Sequence, residues 1–323
     1  MIRPHILVTN RAFPETLARL EAFATVEANA GEAPWPRAEL LRRAAGADGL
    51  LAFMTDHVDA AFLAAAPRLR AVGCALKGAD NFDLAACAAR GIAVSVLPDL
   101  LTVPTAELAI GLMLALGRHV RAGDALVRGG GFEGWRPVLY GTGLAGSTVG
   151  LLGMGAVGQA IAARLAGFGC RILYTDDAAA PPPGTGRRAW PDLLAESDWL
   201  VLAAPLTPAT LHVVDAAALA AMRPGALLVN IARGSLVDEA AVAAALGAGR
   251  LGGYAADVFE LEDWARPDRP RVIHPGLLAH PRTLFTPHLG SAVAGLRREI
   301  ELAAAGSLAA FFAGLPMPGR LAS

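Results

Sequence analysis

The sequence predicts an α/β protein of two doubly wound parallel-sheet domains with a cleft between them, the first domain discontinuous. Three observations carry this expectation. Apolar runs of strand length alternate with helical patterns along most of the 323 residues, as parallel βαβ units require. A glycine-rich turn, Gly153-Met154-Gly155-Ala156-Val157-Gly158, closes one such run (149–152) only in mid-chain, so a separate α/β unit must precede it. The last helical stretch, 295–312, has no strand after it to pair with, and the economical solution returns it to the first domain. The expected limits are 1–101 plus 288–323 for a substrate domain and 102–287 for a nucleotide-binding domain.

In chain order, residues 5–9 (HILVT) read as a buried strand and 14–23 as an amphipathic helix. A helix at 37–45 leads to a strand at 49–54, a helix at 59–66 to a strand at 69–74, and 92–96 supplies a fourth strand. Residues 98–104 (PDLLTVP) form a Pro-flanked bridge, after which Thr105 is read as the cap of a long helix, 106–127. Residues 129–131 and 134–146 are irregular and carry Trp135 and Tyr140. The second series has strands at 149–152, 171–174, 199–203, 226–230, 253–257 and 283–286, with 181–188 (PPPGTGRR) as a loop.

Composition narrows the class. The formal charge of −1, without basic or acidic blocks, argues against nucleic-acid or membrane-surface binding. Three scattered cysteines suit neither a disulfide framework nor a zinc site, and fit a reducing cytoplasm. No apolar stretch has the length of a membrane span. Of 28 basic residues only Lys77 is a lysine, which asks what a compact ammonium does there that a guanidinium fork cannot.

The glycine turn is the expected cofactor site. Gly153 permits the tight turn, Gly155 lets backbone approach a pyrophosphate, and Gly158 lets helix pack on strand. Free amides at the helix start, Ala156 and Val157 among them, face the phosphates. Asp176, 18 residues after Gly158, suits a ribose diol and favours NAD over NADP; Asp177 adds to that preference, while Arg187 and Arg188 could oppose it. Arg233, at a strand's carboxyl end, offers a permanent fork for an oxyanion. His288 follows Pro287 at another strand end, and Glu262 beside it would fix its tautomer and stabilise its protonated form. Lys77, in the loop after 69–74, would add a second cation if both sets of strand ends face one crevice. Thr105 and Ser291 are hydroxyls read either as caps or as ligand contacts.

Several segments resemble the D-isomer-specific 2-hydroxyacid dehydrogenases, and the match runs over most of the chain. They are 149–158 (VGLLGMGAVG), 230–234 (NIARG) with 237–239 (VDE), 256–262 (ADVFELE), 286–291 (TPHLGS) and 80–83 (DNFD). The resemblance implies two Rossmann-like domains, NAD as cofactor, a homodimer, and catalysis by Arg233, Glu262 and His288. It also implies that Asp257 holds the nicotinamide carboxamide, and adds Thr105, Pro205, Ala232 and His288 to the cofactor contacts. Within the family, 73–78 (GCALKG), 98–112, Gly134-Trp135, 140–143 (YGTG) and 262–266 (EDWAR) look most like the phosphite (phosphonate) dehydrogenases. That likeness implies oxidation of phosphite to phosphate, with Lys77, Gly78, Met54, Leu101, Trp135, Tyr140 and Ser291 around the substrate. A dianion gains from the two cations Lys77 and Arg233, whereas a carboxylate needs one fork. Two alternatives remain open at this point: a dehydrogenase acting on a 2-hydroxy acid, and a non-catalytic NAD-sensing corepressor.

Overall fold

The computed structural model describes residues 3–97, 99–176 and 181–321, so Pro98 and Asp177 lie outside the described residues. The chain divides into two compact units. The first comprises Met1–Leu101, Trp264–Pro267 and Ser291–Ser323; the second comprises Thr102–Asp263 and Asp268–Gly290. Two differences from the expected limits are local. Residues 288–290 stay with the second unit because Asp257 holds their backbone: its carbonyl accepts the His288 amide and its carboxylate the amides of Leu289 and Gly290. Residues 264–267 go to the first unit, where the Ala265 amide donates to Asn81 Oδ1 at 3.3 Å.

In the first unit, β1 (His5–Val8), β2 (Thr25–Ala28), β3 (Gly49–Ala52), β4 (Ala71–Cys74) and β5 (Ala93–Ser95) form a parallel sheet in the order β2-β1-β3-β4-β5. Side chains alternate between its faces, as strand geometry demands. Leu7, Leu50, Ala52, Val72 and Cys74 enter one core, and Ile6, Val8, Leu51 and Ala71 the other. The final helix, Ala294–Phe312, covers the second face through Ile300, Ala304, Ala305 and Leu308.

In the second unit, β6 (Thr148–Leu152), β7 (Arg171–Thr175), β8 (Thr185–Arg187), β9 (Trp199–Leu202), β10 (Leu227–Asn230), β11 (Gly253–Ala256) and β12 (Thr283–Phe285) are all parallel, ordered β12-β11-β10-β9-β6-β7-β8. Both faces are covered, so the strands read as continuous apolar runs. Val149, Leu151, Trp199, Val201 and Val229 face one core; Leu152, Leu200, Leu202 and Leu228 face the other. The order reverses at β6, between β7 and β9, and the carboxyl ends of the strands there form the ligand crevice of such sheets.

Four local expectations need correction. Strands β2 (TVEA) and β8 (TGR) were not anticipated, since both are short, polar and at sheet edges. Thr105 is not a cap: the helix runs Thr102–Gly117 and encloses it, because Pro104 lies in the first turn, where a missing N–H costs little. The helix also stops at Gly117, whose carbonyl accepts the Thr142 amide at 2.9 Å, and a second helix, Val120–Arg128, restarts after His119 at φ +53°. Ser291 is likewise not the cap of the last helix, which begins after Val293.

One buried acid makes a stability prediction. Asp56, 4% exposed, follows β3; its Oδ2 accepts Thr9 Oγ1–H at 2.5 Å and the Phe53 amide at 2.7 Å. Burial pushes its carboxyl up to about 6, against the lowering effect of those two bonds and of Arg37. Because the folded state binds this proton more tightly, the contribution is fully present below the ordinary value of 3.8 and is lost as pH rises through about 6. Asp56→Asn keeps an acceptor and removes the charge. Urea unfolding should show it more stable than the parent at pH 7 by up to ~3 kcal/mol, with the difference vanishing near pH 4.

Candidate active site

The glycine turn after β6 has the geometry its sequence demands. Gly153 adopts φ +97°, and a Cβ there would lie 2.7 Å from the Ala204 nitrogen, so only glycine fits. A Cβ on Gly158 would lie 2.2 Å from the Gly153 carbonyl oxygen, which is how the helix Ala156–Leu165 packs down on the turn. Gly155, the residue before that helix, behaves in the opposite way. It is exposed, and a Cβ there would meet nothing within 4 Å. No side chain caps the helix start, and the amides of such an uncapped first turn, Ala156 and Val157 here, are the groups a pyrophosphate takes up. At the end of β7, Asp176 Oδ2 accepts the Met154 amide at 2.5 Å, which anchors the carboxylate at the mouth of the turn. Arg188 is tied to Glu196 through Nε at 2.8 Å.

Arg233 and Glu262 lie on two single-turn elements that pack together. Arg233 ends the link from β10 and precedes the 3-10 turn Gly234–Leu236; Glu262 closes the 3-10 turn Glu260–Glu262. Buried Asn230 shapes the first: its Nδ2 donates to the Arg233 carbonyl at 2.8 Å and its Oδ1 accepts the Ala232 amide at 3.0 Å. The two turns touch backbone to backbone at Gly234, where a Cβ would lie 1.8 Å from the Phe259 carbonyl carbon.

Glu262 is held from both sides. Its Oε1 accepts the Phe259 amide at 2.9 Å, and its Oε2 meets His288 Nδ1 at 2.6 Å. A carboxylate only accepts, so Nδ1 carries the proton and Nε2 is the ring atom turned away from Glu262. His288 itself sits at φ +57°, uncommon for a residue with a Cβ. Its amide donates to the carbonyls of Asp257 (2.9 Å) and Thr286 (3.1 Å), which hold it there. Behind it Asp257, 1% exposed, takes Thr286 Oγ1–H at 2.5 Å, Leu289 N–H at 2.7 Å and Gly290 N–H at 2.8 Å. Burial raises its carboxyl above the usual range, opposed by those donors. Both Asp257 oxygens are thus occupied in shaping the His288 loop.

The other expected site residues divide by unit. In the second, Thr105 Oγ1–H donates to the Gly290 carbonyl at 3.3 Å; Pro205, exposed after β9, accepts Thr210 Oγ1–H at 2.7 Å; the Ala232 carbonyl accepts Arg233 Nη1–H at 2.7 Å. Trp135 and Tyr140 are 82% and 76% exposed, so within one chain they wall no pocket. In the first unit, Met54, Lys77, Gly78, Leu101 and Ser291 are all half-buried, Met54 following β3 and Lys77 and Gly78 following β4. Burial lowers the Lys77 ammonium, and the nearby Asp99 carboxylate opposes this. Sequence reasoning assigned no role to Asn230 or Thr286, although a polar residue at the end of an apolar strand is a readable signal for the first.

A glycine turn at the sheet's switch point, an acid on the next strand, and a histidine–carboxylate pair at other strand ends define a dinucleotide-dependent oxidoreductase. Residues 110–290 match the family model "D-isomer specific 2-hydroxyacid dehydrogenase, NAD binding domain", and the chain belongs to that family. It is 37% identical to glyoxylate reductase of Pyrococcus furiosus over 320 residues, covering 96% of this chain and 93% of that one. It is also 37% identical to human glyoxylate reductase/hydroxypyruvate reductase, over 98% of this chain and 97% of the relative. Among solved structures, the TT0316 protein of Thermus thermophilus is 38% identical with a TM-score of 0.90, covering 98% and 100% of the two chains. The two-domain α/β fold and NAD as cofactor stand as expected from the sequence.

Phosphite as substrate does not stand. The Pyrococcus furiosus and human relatives, which match over nearly the whole chain, are named for glyoxylate and for glyoxylate and hydroxypyruvate. Two of the features that pointed to phosphite also have other accounts in the fold. Lys77 already has a carboxylate neighbour, Asp99, within the first unit. Asp263, within the 262–266 segment, is a buried acceptor for the Ser235 amide.

Proposed function

We propose that the protein is an NADH-dependent reductase of small 2-oxo acids, acting on glyoxylate and hydroxypyruvate. The observation that carries this reading is the 2.6 Å contact between His288 Nδ1 and Glu262, on a turn packed against the one that bears Arg233. Arg233 binds the substrate carboxylate through its two-pronged fork. His288 Nε2 gives its proton to the 2-oxo oxygen as that oxygen becomes a hydroxyl, and Glu262 stabilises the imidazolium beforehand and orients the ring. NADH bound at the glycine turn supplies the hydride. The balance is glyoxylate, NADH and a proton to glycolate and NAD⁺; in reverse, His288 takes the hydroxyl proton. NADH oxidation followed by the loss of its near-ultraviolet absorbance tests this: glyoxylate should support turnover, and its failure together with that of hydroxypyruvate would remove the reading.

Asp176 sets the preference for NADH, since its carboxylate repels a 2′-phosphate. Asp176→Ser should therefore raise kcat/KM for NADPH relative to NADH by roughly tenfold to a hundredfold, as relief of a like-charge contact implies. An unchanged ratio would assign discrimination elsewhere.

A second copy of the chain is the proposed occupant of the apolar surface formed by Val120, Val127, Phe132, Trp135, Val138 and Tyr140, each more than half exposed. Size-exclusion chromatography with light scattering should give a dimer, and Trp135→Glu should shift it toward monomer. The scattered free thiols, with Cys74 and Cys87 buried, fit a cytoplasmic setting.

A further inference from the structure

A buried carboxylate that takes no part in the proposed reaction stands where the Arg233 and Glu262 turns meet. Asp263 is 3% exposed, and its Oδ2 accepts the Ser235 amide at 2.7 Å. Ser235 lies two residues beyond Arg233, and Asp263 is the residue after Glu262, so one hydrogen bond ties the chain following the cation to the chain following the acid. The far side of Ser235 is held as well: its carbonyl accepts the His212 amide at 2.8 Å. The Arg269 guanidinium lies close enough to Asp263 for the carboxylate to act on its ionisation, and so supplies a counter-charge for a buried acid. With the Gly234 backbone pressed against Phe259 and Glu260, the Ser235–Asp263 bond is one polar tie of the same junction, beside the reciprocal bonds between Glu239 and Glu260, where each carboxylate accepts the other's amide at 3.1–3.2 Å.

We propose that Asp263 is a positioning residue that holds the Arg233 turn in register with the Glu262–His288 pair. The inference rests on the roles proposed above for Arg233, Glu262 and His288. A hydrogen bond from an amide to a carboxylate is roughly twice as strong as a neutral one, and alanine or proline at 263 offers no side-chain acceptor. Without it, the Ser235 amide loses its carboxylate acceptor and the turn behind Arg233 is held less firmly. A displacement of about 1 Å at a substrate-positioning group can cost a hundredfold in rate. The glycine turn follows β6 and is not linked to this bond, so cofactor binding should be spared.

The test compares full-length Asp263→Ala and Asp263→Asn enzymes in steady-state glyoxylate reduction, with NADH affinity from fluorescence titration. Asp263→Ala should raise KM for glyoxylate by about tenfold or more, with a smaller fall in kcat and unchanged NADH affinity. Asp263→Asn keeps an acceptor for the Ser235 amide and should stay within about threefold of the parent. In an Arg233→Ala background the Asp263→Ala change should add little, because its effect runs through Arg233. An unchanged KM in Asp263→Ala, a loss in Asp263→Asn equal to that in Asp263→Ala, or full additivity with Arg233→Ala would overturn the proposal. If Asp263→Ala does not fold, Asp263→Glu, with its acceptor displaced by a methylene, carries the same expectation and the same contrary result. An Arg233→Ala enzyme with the parent KM would instead remove the underlying reading of Arg233, and the Asp263 proposal with it.

Discussion

His288→Asn should lower kcat for glyoxylate reduction by roughly a hundredfold to ten-thousandfold while leaving NADH affinity unchanged. Asparagine is the informative choice because His288 sits at φ +57°, a conformation that asparagine tolerates far better than alanine. The backbone bonds from residue 288 to Asp257 and Thr286 can therefore persist, and the loss isolates the chemistry of the ring. What disappears is the Nε2 proton donor, together with the Nδ1 contact to Glu262 at 2.6 Å. Glu262→Gln should fall in the same direction by less: the amide oxygen can still accept from Nδ1, but the charge that stabilises the imidazolium is gone. Stopped-flow single turnovers separate this step from product release, and a His288→Asn enzyme with the parent single-turnover rate would exclude the histidine as proton donor.

Arg233→Ala should cost roughly 2–5 kcal/mol in kcat/KM for glyoxylate, the range for truncating one partner of a desolvated charged pair. Most of it should appear in KM, because the contact to a carboxylate is made in ground state and transition state alike. Arg233→Lys should recover only part, since a point charge cannot reproduce two parallel N–H donors. The turn around residue 233 is built by Asn230 and Gly234 from backbone contacts, so shortening the side chain leaves the local fold intact. KM for NADH should stay at the parent value. A matched rise in both Michaelis constants would point to a general disturbance of the second unit and against a specific carboxylate contact.

The sheets were legible in the sequence wherever strands are buried on both faces. Residues 149–152, 199–202 and 227–230 are continuous apolar runs because helices cover both sides of β6, β9 and β10. The edge strands β2 and β8 were not, since a short polar strand looks like a loop until its neighbour is known. The glycine turn was readable because its residues are dictated by backbone sterics: Gly153 and Gly158 have no room for a Cβ. Substrate choice was not readable in the same way. Lys77 stood out as the only lysine, but a residue's rarity says nothing of its neighbours, and Asp99 became its electrostatic partner only in the folded unit. The 262–266 segment stood out by likeness to other chains, and within it Asp263 is a buried acceptor for the Ser235 amide. Arg233, Glu262 and His288 were singled out because each follows an apolar strand, where parallel sheets deliver their ligands, and a 2.6 Å contact brings the last two together.

The most direct measurement is the product formed from hydroxypyruvate. Incubation with NADH, followed by chiral chromatography of the glycerate, tests reductase activity, carboxylate recognition and handedness together. The account predicts D-glycerate, formed one for one with NADH oxidised and lost in the His288→Asn enzyme. L-glycerate, or no glycerate while NADH is stably bound, would contradict it.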